Sequence, residues 1–588
     1  MNIVNGTSHL PTSGKRTWWK DGVVYQIWPA SYKDSNSDGM GDIPGIISTL
    51  DYLKDLGIDI VWVSPFYDSP QHDMGYDISD YEDIYHAYGT RADAEKLIKE
   101  CHDRGMRVIF DLVVNHTSHL HKWFEESRSS KDNPKRDWYI WRPAKIDKDG
   151  NRKPPNNWRA HWGGSAWEWD ESTQEYYLHL FAPEQPDLNW ENPVTREAIY
   201  GSAMRFWLDR GVDGFRIDTV NMYSKGNEFP DAEVVDHTSE FHMQPNLFCN
   251  GPRMHEFLQE MNSKVLSKYD CMTVGELPHT HKIEDVLRYV SATSKELDMV
   301  FQFDIVDLGQ GKAYKFETVP YDLRDFKRLI DKFQHLIEGT DAWSTAFLEN
   351  HDQARSISRY ASDSTPEHRI RSGKLLAILL ATLTGTLYIY QGQEIGMVNV
   401  PTDWPPEEYK DIESVEYINM IREQFPGDSE KLKEKLKGVR AMARDNARTP
   451  VQWDDSPHAG FTASPNGPWM SVNPNYTEIN VKQQSSDPSS TLNFWKQMLK
   501  LRKEYIDLFG HGRFEMFDGK NAETMYYIKM FDSQQIFVAL SFTGERKKLE
   551  VPRKLEGKEM RLLVGNVPVH EMVEGELSPF EGRVYLVE

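Results

Sequence analysis

Cysteine is scarce in this chain, which has three among its 588 residues, Cys101, Cys249 and Cys271. They are too few and too scattered for a disulfide framework or a zinc site, so a reducing compartment is expected. The first 21 residues also lack the basic start, apolar run and small-residue cleavage site of a secretory signal. The sequence therefore predicts a cytoplasmic protein.

Long apolar runs and a net positive charge are lacking as well. The long apolar run from Leu375 to Tyr390 is shorter than the roughly 18 to 20 apolar residues that span a bilayer, and its Thr-Gly-Thr interruption predicts a buried helix followed by a buried strand. The formal net charge of -23 repels phosphate backbones and anionic lipid. These features argue against nucleic-acid and membrane partners and favour a small neutral or cationic ligand.

Apolar and aromatic residues are abundant, at 39% hydrophobic and 12% aromatic, with 18 Trp, which is enough for a large core and for ring-stacking surfaces. Eight short apolar runs alternate with amphipathic helical patterns, as in a parallel sheet covered by helices. We therefore predict an α/β fold, a closed (β/α)₈ TIM barrel. The eight runs are VVYQIWPASY from Val23, IDIVWVSPFY from Ile58, RVIFDLVVNH from Arg107, VDGFRIDTV from Val212, CMTVGEL from Cys271, MVFQFDIV from Met299, STAFLENHD from Ser344 and GTLYIYQGQE from Gly385.

Three stretches depart from this alternation and define the expected domains. Residues 117–186 are polar and Trp-rich, which predicts a domain inserted after the third strand, and residues of about 399–437 predict a helical insertion after the eighth. Residues 511–588 carry short alternating strands, typical of an antiparallel β-sandwich. The barrel would then comprise residues 1–116 and 187–510.

A short loop, KDSNSDGMGD, places oxygen-bearing side chains at Asp34, Asn36, Asp38 and Asp42 around Gly39. Such alternation suits a hard cation like Ca²⁺. A calcium-sensing loop ends in a bidentate Glu at its twelfth position, which here is Gly45, so a sensor is excluded. Two alternatives stay open on spacing alone: a cation loop that closes at Asp42, or an Asx-rich turn that satisfies its own backbone.

Charged and polar residues cluster at the predicted carboxyl ends of the strands, which meet at the active-site mouth of such a barrel. Each of them alone could be a helix cap, a loop salt bridge or a core histidine. Several carboxylates buried together are costly, and such a group usually has a chemical task. The set comprises Asp111, Asn115, His116, Arg216, Asp218, Glu276, His351 and Asp352.

The segments DLVVNH, GFRIDTV, GELP and FLENHDQ, in this order, resemble the four signature segments of the α-amylase family of glycoside hydrolases. QPDLNW and RDNARTPVQW are similar to its oligo-1,6-glucosidase and maltase branch, as in the fungal maltase and isomaltase α-glucosidases. The resemblance implies that Asp218 is the nucleophile, Glu276 the general acid/base and Asp352 the acid that stabilises the transition state. Two carboxyls about 5 to 5.5 Å apart suit a retaining mechanism. Crowding by the other two negative charges would raise the pKa of Glu276.

The same resemblance implies a set of substrate-binding residues. Asp73 and Arg444 would pair to close the far end of the sugar site, so that only a terminal sugar enters and the enzyme is exo-acting. Tyr76 would stack on the glucose ring, and Arg216 would hold the nucleophile ionised. The remaining residues implied to bind the sugar or to line its site are His116, His351, Phe181 and Gln185, with simple core packing as the alternative for Phe181.

The family resemblance also implies a structural Ca²⁺ bound by Asp34, Asn36, Asp38, Asp42 and the Met40 carbonyl, remote from the chemistry. We expect no organic cofactor, and we expect the protein to be a monomer. The substrates would be small neutral sugars such as maltose, sucrose, isomaltose and short oligosaccharides.

Thr219, directly after the nucleophile, goes with maltase-like action on α-1,4 links and sucrose in this branch, whereas valine goes with α-1,6 action. A hydroxyl in place of a methyl group changes the polarity beside the aglycone site, and the effect on substrate preference is roughly 1 to 3 kcal/mol. This is enough for a preference but not for exclusion, so we expect maltase action with some α-1,6 activity. Alternatives are an oligo-1,6-glucosidase and a transglucosylase or sucrose isomerase. The isomerase branch usually carries an Arg-rich RLDRD loop, which the segment YDLRD from Tyr321 to Asp325 matches only in part. A non-catalytic relative such as a transporter heavy chain would have lost an acid and gained a membrane span.

Overall fold

Eight short parallel strands form the centre of the molecule in a computed structural model that describes residues 17–312 and 314–588. Most of the N-terminal stretch without a secretory signal lies outside these residues. Nearly every strand residue is buried, which explains the continuous apolar runs in the sequence. The strands are β1 (Val23–Ile27), β2 (Ile60–Val63), β3 (Arg107–Leu112), β4 (Gly214–Ile217), β5 (Met272–Leu277), β6 (Met299–Gln302), β7 (Thr345–Ala346) and β8 (Thr386–Tyr390).

The strands pair in the order β6-β5-β4-β3-β2-β1-β8-β7, and every pairing is parallel. Side chains join the two ends of this order: the Thr345 hydroxyl donates to the Val300 carbonyl at 3.0 Å, and Gln302 Nε2 donates to Ser344 Oγ at 3.1 Å. The sheet therefore curves into the predicted (β/α)₈ barrel.

Helices cover the outside of the barrel between successive strands. The helix Arg91–Asp103 begins at a capping box formed by Thr90 and Asp93, and Leu323–Leu336 begins at one formed by Asp322 and Asp325. The predicted buried helix ends at Thr382 and leads into β8. The larger barrel helices are Leu50–Leu56, Arg91–Asp103, Pro193–Ile199 (continued by Tyr200–Arg205 and Phe206–Leu208), Met254–Lys264, Ile283–Val290, Leu323–Leu336, Pro366–Thr382 and Thr491–Glu504. Shorter helices are Trp18–Asp21, Ile43–Ile47, Lys122–Ser129, Phe303–Val306, Ser356–Tyr360, Asp445–Arg448, Val481–Ser486 and Ile506–Gly510.

The stretch after β3 folds as a small antiparallel unit. Its strands Trp141–Arg142, Glu175–Leu178 and Trp167–Asp170 form one sheet, and Lys145–Ile146 pairs with Arg152–Lys153. Part of its core comes from elsewhere, because Phe229 and Phe248 of the long loop after β4 pack on Trp158. This second contributor could not be predicted from the sequence, because a loop carries no hydrophobic periodicity.

The charged stretch after β8 contains the helices Ile412–Gln424 and Ser429–Met442. Tyr417, Ile421 and Val439 form a separate small core with Phe316 of the loop after β6. The insertion therefore packs against the rim of the barrel mouth.

The C-terminal region is antiparallel, as predicted. Strands β9 (Arg513–Met516), β10 (Thr524–Phe531), β11 (Gln534–Ser541), β12 (Met560–Gly565) and β13 (Gly582–Val587) pair in the order β9-β10-β11-β13-β12, and Lys547–Lys548 pairs with Glu576–Leu577 in a second sheet. Tyr527 and Val538 face the barrel core, while the alternate residues Tyr526 and Phe537 pack with Leu577. Within the described residues, no helix is both long and apolar enough to cross a bilayer.

Candidate active site

The strand ends bring four charged side chains together at the barrel mouth. Arg216 lies on β4 opposite Asp111 of β3, and Asp218 follows two residues later, on the same side of the chain. Glu276 lies near the end of the adjacent strand β5. All four are nearly inaccessible to solvent, so their charges interact strongly.

Arg216 is the hub of this group. Its Nη1 donates to Asp111 Oδ1 at 2.8 Å and to Asp218 Oδ1 at 2.7 Å, while its Nη2 lies 3.0 Å from Glu276 Oε1. Only 1% of the arginine is exposed. A single cation thus contacts three carboxyl groups, and it cannot neutralise all of them if all are ionised.

The carboxyl groups of Asp218 and Glu276 differ in protonation. Burial raises the pKa of Asp218 to about 6, although Arg216 opposes the shift, and the charge of Asp111 adds to the rise. Burial raises the pKa of Glu276 to about 8, again against Arg216, and the charges of Asp218 and Asp352 add to the rise. The direction for Glu276 is the one expected from the sequence, but burial contributes more than crowding. At neutral pH Glu276 holds a proton and Asp218 does not.

Thr219 joins these two acids through its backbone and its side chain. Its N–H donates to Glu276 Oε2 at 3.1 Å, and its hydroxyl donates to Asp218 Oδ2 at 3.2 Å. The residue has a φ of 37°, which is unfavourable for a β-branched side chain. Strain of this kind persists where the surroundings impose it, typically at functional sites. The turn aims both donors of Thr219 at the acid pair.

Asp352 lies in the loop after β7 and has a different environment. Arg444 Nη1 and Arg448 Nη2 donate to its Oδ1 at 3.1 and 3.0 Å. Burial opposes ionisation, but the His351 ring and these two guanidinium groups lower the pKa of Asp352 below its ordinary value. Asp352 is therefore ionised in the folded protein at neutral pH.

Asp352, Arg444, Arg448 and Asp411 form a second cluster, of which Arg448 and Asp411 were not predicted from the sequence. Asp411 Oδ2 lies 2.8 Å from Arg444 Nη2 and 2.7 Å from Arg448 Nη1, and so holds both arginines in place. Arg448 belongs to the quoted segment RDNARTPVQW, which could have singled it out. Asp411 caps the helix Ile412–Gln424 in the charged insertion, and nothing in its local sequence distinguishes it from any other N-cap.

A cavity of about 210 Å³ opens above these acids. Gln185, Arg216 and His351 do not line it but lie behind residues that do. The predicted site residues that line the cavity are Asp73, Tyr76, His116, Phe181, Asp218, Thr219, Glu276, Asp352 and Arg444.

One end of the cavity is closed by polar contacts. Asp73 Oδ1 lies 3.6 Å from Arg444 Nη2, and Gln185 Nε2 donates to Asp73 Oδ2 at 3.0 Å. The same amide lies 3.2 Å from the ring of His116, which burial keeps neutral by lowering its pKa to about 4. Burial raises the pKa of Asp73 to about 7, although Arg444 opposes it. These groups present hydrogen-bonding atoms to whatever occupies the closed end.

Tyr76 is held against His351, with ring centroids 5.3 Å apart and planes 5° from parallel. Gln26 Nε2 donates to His351 Nδ1 at 2.8 Å, so the other nitrogen, Nε2, carries the proton and faces the Tyr76 hydroxyl at 2.5 Å. Burial lowers the pKa of His351 well below its ordinary value, consistent with a neutral ring. His351 thus contacts Tyr76 and Asp352 and does not line the cavity itself.

The other residues that line the cavity were not found from the sequence. They lie in the inserted unit, in the loops after β4, β5 and β6, and in the insertion after β8, where sequence patterns do not predict position. They are His161, Trp162, Met222, Pro278, His279, Phe303, Val306, Asp307, Gln310, Lys315 and Glu413.

The expected cation loop lies apart from the residues that line the cavity. Asp34 accepts N–H bonds from Asn36, Ser37 and Gly39, and Asp42 Oδ1 accepts from Gly45 N at 2.6 Å. These are contacts of an Asx-rich turn. Among the described residues no three His, Cys, Asp or Glu side chains are placed to hold a metal.

A cation in this loop would therefore need neutral oxygens as well as carboxylates. The Asn36 side chain and the Met40 carbonyl supply the neutral oxygens, and the carboxylates come from Asp34, Asp38 and Asp42. All of the donors are hard oxygens, and they lie in one short loop, so the donor set suits Ca²⁺ chemically.

Comparison with known proteins places this geometry in context. Residues 26–512 match the catalytic domain of the α-amylase family. An α-glucosidase of Candida albicans is 55% identical over 97% of this chain and 99% of its own, and an oligo-1,6-glucosidase of Saccharomyces cerevisiae is 46% identical over 99% of each. The crystal structure of an isomaltulose synthase from Protaminobacter rubrum has a TM-score of 0.90 and 38% identity, covering 98% of this chain and 100% of that one.

Proposed function

Because the chain belongs to the α-amylase family of glycoside hydrolases, we propose that it is an exo-acting, retaining α-glucosidase that releases terminal α-D-glucose from maltose, short malto-oligosaccharides and sucrose. The observation that carries this proposal is the pairing of a protonated Glu276 with an ionised Asp218 on one guanidinium group, at the base of a cavity with one closed end. A non-catalytic role is disfavoured, because all three acids are present and assembled.

The proposed mechanism is a double displacement. Asp218 Oδ attacks the anomeric carbon while the bond to the leaving oxygen breaks, and that oxygen takes the proton of Glu276. Water then gives a proton to the Glu276 carboxylate and its oxygen to the anomeric carbon, which releases Asp218. The ionised Asp352 lies beside the same cavity, where its charge stabilises the positive sugar ring of both transition states.

The closed end supports action on terminal sugars. Asp73, Arg444 and His116 would hydrogen-bond hydroxyls of a terminal glucose, and Tyr76 would cover its ring. A chain continuing past this glucose would have to separate the Asp73–Arg444 pair, at the cost of leaving a buried charge without its partner. Phe181 would contact the sugar from the inserted unit, where it stacks on His161 with ring centroids 4.7 Å apart.

Bond preference is the point on which the alternatives differ. The relatives include both an α-glucosidase and an oligo-1,6-glucosidase, so overall identity does not separate maltase from isomaltase action. The similarity to an isomaltulose synthase keeps a sucrose isomerase or transglucosylase as an alternative. We favour maltase action with some α-1,6 activity, because the Thr219 hydroxyl lies in the cavity wall next to Asp218.

The remaining sequence expectations belong to the same proposal. Small neutral sugars fit a cavity lined by hydroxyl-binding groups, whereas nucleic acid and membranes do not fit the net charge of -23. The three cysteines are all free, in keeping with a reducing cytoplasm. We further propose a monomer that uses no organic cofactor.

The first experiment compares initial rates on maltose, sucrose and isomaltose. We expect high rates on maltose and sucrose, and a fall of about 10⁴-fold or more in kcat for Asp218→Ala, because the nucleophile is lost. The control is Asp51→Ala, which removes a largely exposed acid on a barrel helix. Isomaltose as the only substrate would favour the oligo-1,6-glucosidase, and isomaltulose formed from sucrose would favour the isomerase. An Asp218→Ala variant that keeps most of its kcat would contradict the mechanism.

Thr219→Val tests the origin of bond preference. It removes the hydroxyl at nearly constant volume, so we expect the ratio of maltose to isomaltose rates to fall about 10-fold or more. Thr219→Ser is the matched variant, since it keeps the hydroxyl and loses only the methyl group. Equal changes in the two variants would mean that the hydroxyl does not determine the preference.

The two acid pKa values predict a bell-shaped pH profile. Below about 6 the nucleophile Asp218 is protonated, and above about 8 Glu276 has lost the proton it must donate, so kcat/KM on maltose should be greatest between these values. An aryl glucoside with a good leaving group needs little acid assistance and should show a weaker alkaline fall. A maltose profile that stays flat above pH 8 would contradict the assignment of Glu276.

We also propose that the loop from Asp34 to Asp42 binds Ca²⁺ as a structural ion. Compared with the protein in EDTA, Ca²⁺ at 100 times its Kd would add about 2.7 kcal/mol to the free energy of unfolding. The Tm in Ca²⁺ should therefore be higher than the Tm in EDTA. Asp38→Ala should abolish this rise, because Asp38 is exposed and its Oδ1 accepts only the Met40 N–H in the loop. The same Tm in EDTA and in Ca²⁺ would leave the loop as a self-satisfied turn.

A further inference from the structure

Arg355 is a fully buried arginine that no step of the proposed mechanism uses. It lies three residues after Asp352, on the loop between β7 and the helix Ser356–Tyr360, and its exposure is 0%. A buried guanidinium is costly unless every donor finds a partner, so its contacts indicate its role.

Its side chain joins three separate parts of the barrel mouth. Nη1 donates to the Gln391 carbonyl after β8 at 2.7 Å, while Nε and Nη2 donate to the carbonyls of Asn446 and Ala447, both at 3.3 Å. Glu349 balances the charge, with its Oε2 3.2 Å from Nη1. Arg355 therefore links its own loop to the end of β8 and to the helix Asp445–Arg448.

The last residue of that helix, Arg448, connects this link to the chemistry. Its Nη2 donates to Asp352 Oδ1, and its Nε donates to the His351 carbonyl at 3.0 Å. The helix has a single turn, so its position depends on tertiary contacts rather than on its own stability. Arg355 holds the carbonyls immediately before Arg448, and its loop carries Asp352 itself.

We propose that Arg355 is a positioning residue that fixes Arg448, and through it the orientation of the Asp352 carboxylate. Glu349 fixes the other side of the same loop, because its Oε1 accepts from both the backbone N–H and the hydroxyl of Ser356. This inference rests on the proposed function, since Asp352 is given its transition-state role there.

Arg502 offers a matched control. It is also a fully buried arginine and also donates to three backbone carbonyls, those of Ala381, Leu383 and Gly385. These groups lie at the C-terminal end of the helix Pro366–Thr382 and at the start of β8, whereas the active site lies at the strands' carboxyl ends. Lysine at either position replaces the guanidinium group by a single ammonium group.

The test compares Arg355→Lys with Arg502→Lys in the full-length protein, measuring Tm together with kcat and KM on maltose. We expect both variants to lose Tm, because each leaves carbonyl groups unsatisfied. Only Arg355→Lys should lower kcat, by about 10- to 100-fold with KM nearly unchanged, because a displaced Asp352 binds the transition state poorly. Arg355→Lys with a wild-type kcat would overturn the proposal.

A double variant tests the route through Arg448. Arg355→Lys added to Arg448→Lys should lower kcat little further than Arg448→Lys alone, whereas independent effects would multiply and would overturn the route.

If Arg355→Lys does not fold, Glu349→Gln replaces it as the test variant. It keeps the side-chain volume and should also lower kcat; an unchanged kcat in Glu349→Gln would count against the proposal. Wild-type protein without any α-glucosidase activity would instead overturn the proposed function.

Discussion

The contact of one guanidinium group with three buried carboxyls is the constraint on which the active site depends. Arg216 carries one positive charge, whereas Asp111, Asp218 and Glu276 would carry three negative charges if all were ionised. In a buried site such an excess is unfavourable, so a proton is retained where ionisation is hardest. That place is Glu276, which has the highest pKa of the three. The proton that acid catalysis needs is thus a consequence first of burial and then of charge imbalance.

A second cluster at the same cavity has balanced charges. Asp352 and Asp411 share two arginines, Arg444 and Arg448, so every carboxylate there has a partner and Asp352 stays ionised. The two clusters come from different parts of the chain, one from the strands β3, β4 and β5, the other from loops after β7 and β8. An acid kept neutral and an acid kept charged can therefore coexist at one cavity, which a glycosidase requires.

The sequence was sufficient for the barrel and for the acids, because buried parallel strands are continuous apolar runs and the strand ends fix where Asp218 and Glu276 lie. It was insufficient where a side chain acts across the fold. Asp411 is an ordinary helix cap locally, and only the tertiary structure places it between two arginines. The nitrogens of His351 face Gln26, Tyr76 and Asp352, contacts that its sequence neighbours do not encode. The role of Thr219 depends on a positive φ that its sequence neighbours do not encode.

The central claim is that Asp218 attacks the sugar while Glu276 supplies the proton. The most direct measurement is mass spectrometry of the protein treated with a fluorinated α-glucosyl fluoride, whose electron-withdrawing substituent slows hydrolysis of the glycosyl-enzyme. The account predicts one added glycosyl group, located by peptide fragmentation on Asp218 and absent from Asp218→Ala. A label on another residue, or release of the β-anomer of glucose as the first product, would contradict it.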